Sequence, residues 1–177
     1  MLDALDASYA AFVAGAREVP PQHRTVRPAP DEWSVAEVVQ HVANVERVLT
    51  ELLSARLAAA RPEGLGPEAD PAASSPSFPT SLIRDRSRKI KAREALHPTP
   101  GVDFESAMTQ FDATHAALRA MVVGADGLAL SRVTQQHPFL GPLDFYGWML
   151  FLAAHEDRHL GQIREAAASR AAQGAGV

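Results

Sequence analysis

The chain is expected to be all-α: a four-helix bundle with its helices running up, down, down and up, and a long crossover between the second and third. Two observations predict this. Four segments place apolar residues at helical spacing, and none alternates apolar and polar residues as a half-buried strand would. About forty residues separate the second segment from the third, enough to let those two run parallel, whereas the other connections are short. Each amphipathic helix must cover its apolar stripe with another, and four such stripes close on one another as a bundle.

The first helix is expected from about Leu2 to Arg17, stopped by Pro20 and Pro21. The second opens at Ser34, with Glu37 three residues on as a capping box, and runs to about Ala60. Its stripe is Val35, Val38, Val42, Val45, Leu49, Leu52 and Leu53, with His41 on the flank. From Arg61 to Thr80 the chain is rich in Pro, Gly and Ser and reads as a connection. Ser81 to Leu96 is basic and expected to be partly helical, before Pro98, Pro100 and Gly101 break it. The third helix follows from about Asp103 to Val123, and its stripe of Phe104, Met108, Phe111, His115, Leu118 and Val122 gives His115 a core position. The fourth starts near Asp144, a plausible N-cap, and continues to about Arg170, with Trp148, Phe151, Leu152, His155, His159, Gln162 and Ile163 on its inner face.

Composition removes several functional classes. A chain of 177 residues that is 46% hydrophobic and 21% charged is expected to form one domain, spanning 1–177, with a proper core. No apolar run approaches the ~20 residues of a membrane span, and the acids in MLDALDASYAAF stand where a secretory leader carries basic residues, so no membrane partner and a cytoplasmic location are expected. A net charge of −4 without a long basic run gives no footprint for nucleic acid. Cysteine is absent, so a transition-metal site must be built from His, Asp and Glu.

The run His155-Glu156-Asp157-Arg158-His159 fits the His-Glu-x-x-His pattern of zinc peptidases. Histidines four apart share one helix face and can bind one ion together. A peptidase also needs a third ligand, usually downstream, and a sheet edge to hold the peptide. Glu165 is the sole acid after His159 and no strand is readable, so the peptidase reading loses its support. The charged Asp157 and Arg158 suggest a flank turned to solvent. Upstream, His41 borders a stripe that faces the bundle interior, and three histidines from two facing helices would cap one face of a divalent ion and leave other positions open.

The segments WSVAEVVQHVANVE at 33–46, KIKAREALHPTPG at 89–101 and HPFLGPLDFYGWMLFLAAHEDRHLGQI at 137–163 resemble the DinB-like superfamily of bacterial four-helix-bundle metalloproteins. The specific elements are the Trp-Ser helix start with a histidine eight residues after Trp33, the His-Pro-x-x-Gly-Pro-Leu turn, and the His-x-x-x-His-x-x-Gln-Ile ending. The resemblance implies a divalent metal, zinc or nickel, on His41, His155 and His159, and leaves Glu156 incidental. It also implies a metal-dependent transferase of low-molecular-weight thiols, of the bacillithiol or mycothiol type, with a small-molecule thiol and an electrophile as partners. A non-catalytic metal-binding stress-response protein and a metal-hydroxide hydrolase stay open beside it, and a homodimer is one assembly kept open.

Other residues are less decided. His115 could contact a ligand, supply a fourth metal position, or simply fix the bundle register. His137 is expected at the cavity rim, set there by the turn that follows Pro138, with an ordinary loop residue as the alternative. Glu37 could orient the His41 ring, although the cap already explains it. The basic run Arg84, Arg86, Arg88, Lys89, Lys91, Arg93 is a solvated face or an attractor for an anionic thiol. Trp33 and Trp148 are expected to pack in the core.

Overall fold

The computed structural model describes the chain except residues 62–63, 71–77, 88–89 and 175–177, and its side chains up to residue 168. In chain order the helices are α1 (Leu2–Glu18), α2 (Val35–Ala60), a short α3 (Thr80–Arg84), α4 (Phe104–Gly124) and α5 (Phe145–Gly174). Their starts are written in polar side chains. Ser34 Oγ accepts from Glu37 N at 3.2 Å while the Glu37 carboxylate accepts from Ser34 N at 2.8 Å. Asp103 caps α4 through Ser106 N at 2.9 Å, and Asp144 accepts from Gly147 N at 2.7 Å at the head of α5.

Contacts between helices give their directions. Gln40 meets Gln110, Glu46 meets Thr114 and Arg61 reaches Gly124 O, so α2 and α4 run parallel. Arg17 meets Glu105, Tyr9 meets Asp112 and Asp6 meets Arg119, so α1 opposes α4. Leu5 shares a cluster with Phe145 to Ala154, whereas Phe12 and Ala16 share one with Leu160 and Ile163, so α1 and α5 are parallel. The four long helices are thus an up-down-down-up four-helix bundle.

Two apolar clusters fill it. One joins Leu5, Leu49, Leu53, Leu118, Phe145 and Leu152; the other joins Phe12, Val39, Val42, Phe104, Met108 and Phe111. Between the two levels every long helix contributes polar side chains: Ser8, His41 and Glu46, Thr114 and His115, and His155, Glu156 and His159.

Two sequence expectations are corrected. A short antiparallel hairpin is present, β1 (Thr134–His137) on β2 (Gly141–Asp144), with Thr134 opposite Asp144 and His137 opposite Gly141. Its strands are too short and its Thr-Gln-Gln-His run too polar to alternate visibly; Gly141 at φ 80° turns the chain, and Trp148 Nε1 donates to Gln135 O at 3.2 Å to hold it against α5. Ser81–Leu96 is partly helical as expected, among the described residues through the end of α3 and a 3-10 turn at Glu94–Leu96. Asp157 and Arg158 do not face open solvent: the crossover docks there, with Arg84 on Asp157 and Arg158 donating to the carbonyls of Ile83 and Asp85. Among the described residues no helix is long and apolar enough to cross a membrane.

Candidate metal centre

His41 enters the site from the second turn of α2, placed by the Ser34–Glu37 cap one turn earlier. His155 and His159 enter one turn apart on α5. The three lie within ligand reach of one another, with one ring nitrogen from each inside 4.8 Å. His41 Nδ1 lies 2.8 Å from Leu96 O, and a carbonyl only accepts, so Nδ1 carries the proton and Nε2 keeps its lone pair. His159 Nδ1 donates likewise to Gln162 Oε1 at 2.9 Å. His159 Nε2 then faces His155 Nε2 at 3.2 Å, about the separation of two nitrogens that share an ion at ~2.0–2.1 Å each. His155 Nδ1 is buried without a hydrogen-bond partner.

All three rings are at most 9% exposed. Burial disfavours the imidazolium and pulls each pKa down: that of His41 below its usual value, that of His155 well below it, and that of His159 to about 3, where the His41 charge adds to the effect. Neutral rings with converging lone pairs, two of them with the back nitrogen fixed by an outer partner, are a fitting donor set for a divalent transition ion.

Aromatic rings wall the site. Trp33, half-buried rather than fully in the core, lies over His41 at 4.7 Å between centroids, and Phe151 stacks on His155 at 5.6 Å. His137 does not join the three. It sits buried behind Phe151, 4.9 Å between centroids, with Nδ1 accepting from the backbone N–H groups of Phe139 and Leu140 in the turn the sequence pointed to. His115 is placed elsewhere too, against Glu46 and Asp6 on the α1 side, so it supplies no fourth position to this triad. Glu37 touches Arg27, Ser34 N and Gly101 N rather than the His41 ring, which settles it as a cap. Of the basic run, Arg84 and Arg86 are engaged by Asp157 and Glu165, and Arg93 lies close enough to His137 to lower its pKa after burial has done so; Arg88 and Lys89 fall outside the described residues.

Two buried acids went unread. Glu156 was set aside and Glu46 passed over, yet each is only 1% exposed. The signal was available: Val42, Glu46, Leu49 and Leu53 follow 4-3-4 spacing on α2, and Met149, Ala153, Glu156, Leu160 and Ile163 follow 4-3-4-3 on α5, so both acids stand within apolar stripes.

The family model described as the DinB superfamily matches residues 4–163. The uncharacterized protein YuaE of Bacillus subtilis (strain 168) is 27% identical over 140 residues, which cover 78% of this chain and 80% of YuaE. Among solved structures, TT2238, a four-helix bundle protein, superposes with a TM-score of 0.59 at 24% identity, over 93% of this chain and 95% of that one.

Proposed function

This chain belongs to the DinB superfamily, and from that premise we propose that His41, His155 and His159 hold one zinc or nickel ion and that the protein transfers a low-molecular-weight thiol, bacillithiol or mycothiol in type, to an electrophile in the cytoplasm. The observation that carries the metal is the convergence of the three rings, two with their proton committed to Leu96 O and Gln162 and their lone pairs turned inward. A bound divalent ion would act as a Lewis acid that favours the thiolate form of a thiol beside it.

The protein's own residues set the conditions for that chemistry. Leu96 and Gln162 hold two rings in one tautomer, so no proton has to move before binding. Trp33 and Phe151 keep bulk water from the triad. The chain has no cysteine, so the attacking sulfur must come from a small molecule, and Arg93, exposed near His137, can draw in an anionic one. A specific observation supports a second reading, a non-catalytic metal-binding protein of the stress response: all three imidazoles are at most 9% exposed.

The test is metal analysis of the purified protein joined to thiol-consumption assays with bacillithiol and with mycothiol against an electrophile. One bound ion lost on His41→Ala, and a thiol-transfer rate lost on His155→Ala with helicity kept, are expected. Zinc or nickel content that does not fall by one ion when all three histidines become alanine would remove the site. Turnover that runs without thiol would make the protein a metal-hydroxide hydrolase, and no turnover under any condition would leave the non-catalytic reading.

A further inference from the structure

The bundle contains a second set of ligand side chains that the histidine triad does not use. At the polar level between the two apolar clusters, α2 supplies Glu46, α4 supplies Thr114 and His115, α5 supplies Glu156, and α1 covers them with Asp6, Ser8 and Tyr9. One ligand atom from each of Glu46, His115 and Glu156 lies within 4.8 Å of the others, and all three residues are at most 5% exposed.

The hydrogen bonds at this level leave a deficit of positive charge. Glu46 Oε2 accepts from Thr114 Oγ1 at 2.7 Å, and Oε1 faces His115 Nδ1 at 3.2 Å. Both oxygens of Glu156 are buried with no hydrogen bond of good geometry; the Ser8 hydroxyl lies near enough to offset part of the burial, but it donates to Leu5 O. A buried carboxylate without a partner at contact distance is costly, and a cation beside it would remove that cost.

The far side of His115 is arranged as the back of a metal ligand. Its Nε2 lies 3.2 Å from Asp6 Oδ1, and the Asp6 carboxylate is gripped by Arg119 at 2.6 and 2.8 Å. In the neutral tautomer that gives Nε2–H to Asp6, the Nδ1 lone pair faces Glu46 Oε1. Tyr9 fixes the ring plane by stacking on it at 3.9 Å and 9°. A cation between Nδ1, Glu46 and Glu156 would satisfy all three at once, and a carboxylate behind a ligating imidazole is the usual outer partner of such a site.

We propose that Glu46, His115 and Glu156 form a second metal site, separate from the histidine triad, for one divalent ion of the manganese type. Two carboxylates neutralise the ion's charge, and this oxygen-rich set is harder than three imidazoles, so the two sites select differently. Glu156 follows His155 directly, and consecutive helix positions diverge by about 100°, so α5 turns its histidines toward α2 and Glu156 toward α1. Asp6 and Arg119, with side chains 38% and 45% exposed, form the solvent-facing edge of the site.

The experiment counts ions. Wild-type protein is saturated with zinc and then with Mn2+, dialysed, and measured by elemental analysis and by the EPR signal of bound Mn2+. Two ions per chain are expected, with Mn2+ in the second site. Glu156→Gln, equal in size and uncharged, should leave one ion, and that ion should disappear on adding His41→Ala. Asp6→Asn should weaken Mn2+ about 10–100-fold while leaving the first ion in place. The His41→Ala, His159→Ala double variant, checked for helicity by circular dichroism, should keep its Mn2+. A wild-type chain that holds a single ion whatever stands at position 156, or Mn2+ that survives Glu156→Gln unchanged, would overturn the proposal.

Discussion

Replacing Glu37 by Gln should destabilise the metal-free protein by about 3 kcal/mol at neutral pH, and the loss should shrink in acid. Glu37 is 1% exposed and joins three segments: it accepts from Ser34 N at the head of α2, from Arg27 Nε at 2.9 Å in the α1–α2 loop, and from Gly101 N at 3.4 Å before α4. A hydrogen bond to a charged group is worth about 1.5–3 kcal/mol, and the exposure of Arg27 puts its share at the low end. Gln still accepts one bond, so the cap loses its charge but keeps part of its geometry. Burial raises the Glu37 pKa, but Arg27 and the two backbone N–H groups outweigh it and hold the carboxyl below its usual value. The folded pKa is therefore below the unfolded one. The contribution is complete above the unfolded value near 4.5 and fades as pH falls through the folded one. Urea titrations at pH 7 and pH 3 measure this. At about 2–4 °C per kcal/mol for a chain of this size, melting at pH 7 should drop by about 6–12 °C. A difference below 1 kcal/mol at pH 7, or one equally large at pH 3, would refute the reasoning.

Phe111 is fully buried against Phe12 and Tyr9, at 5.2 and 5.1 Å between centroids, so Phe111→Ala should cost about 3–5 kcal/mol in denaturant titrations without altering the metal count. Because burial holds the His159 pKa at about 3, the unfolded chain takes up its proton first as pH falls; the metal-free protein should lose about 2 kcal/mol between pH 7 and 5 through this ring, and His159→Asn should flatten that slope. Gly141 turns the hairpin at φ 80°, so Gly141→Ala should cost about 1–2 kcal/mol, read by thermal melting, and loosen the turn whose N–H groups hold His137.

Much of the architecture was legible along the chain because helix periodicity, caps and breakers are local. Ser34 with Glu37, Asp103 and Asp144 mark helix starts that the structure keeps to within a residue, and the long crossover implied the up-down-down-up order. The His155 and His159 pair was legible for the same reason, since four-residue spacing on a helix sets geometry by itself. What lay beyond sequence was everything decided between segments. The hairpin at Thr134–Asp144 is too short to imprint alternation. The cover over Asp157 and Arg158 depends on where the crossover docks. His115 stood at a core position where contact with a ligand or metal and a role in fixing the bundle register were equally open, and only the packing of α1 and α2 against α4 gave it to Asp6 and Glu46 instead of the triad. The sequence alone therefore determined four helices and a histidine pair, because those follow from neighbours within one turn. Tertiary structure alone decided that Glu46 and Glu156 share one buried level, because their meeting requires three helices to bring residues 46, 115 and 156 together across the bundle.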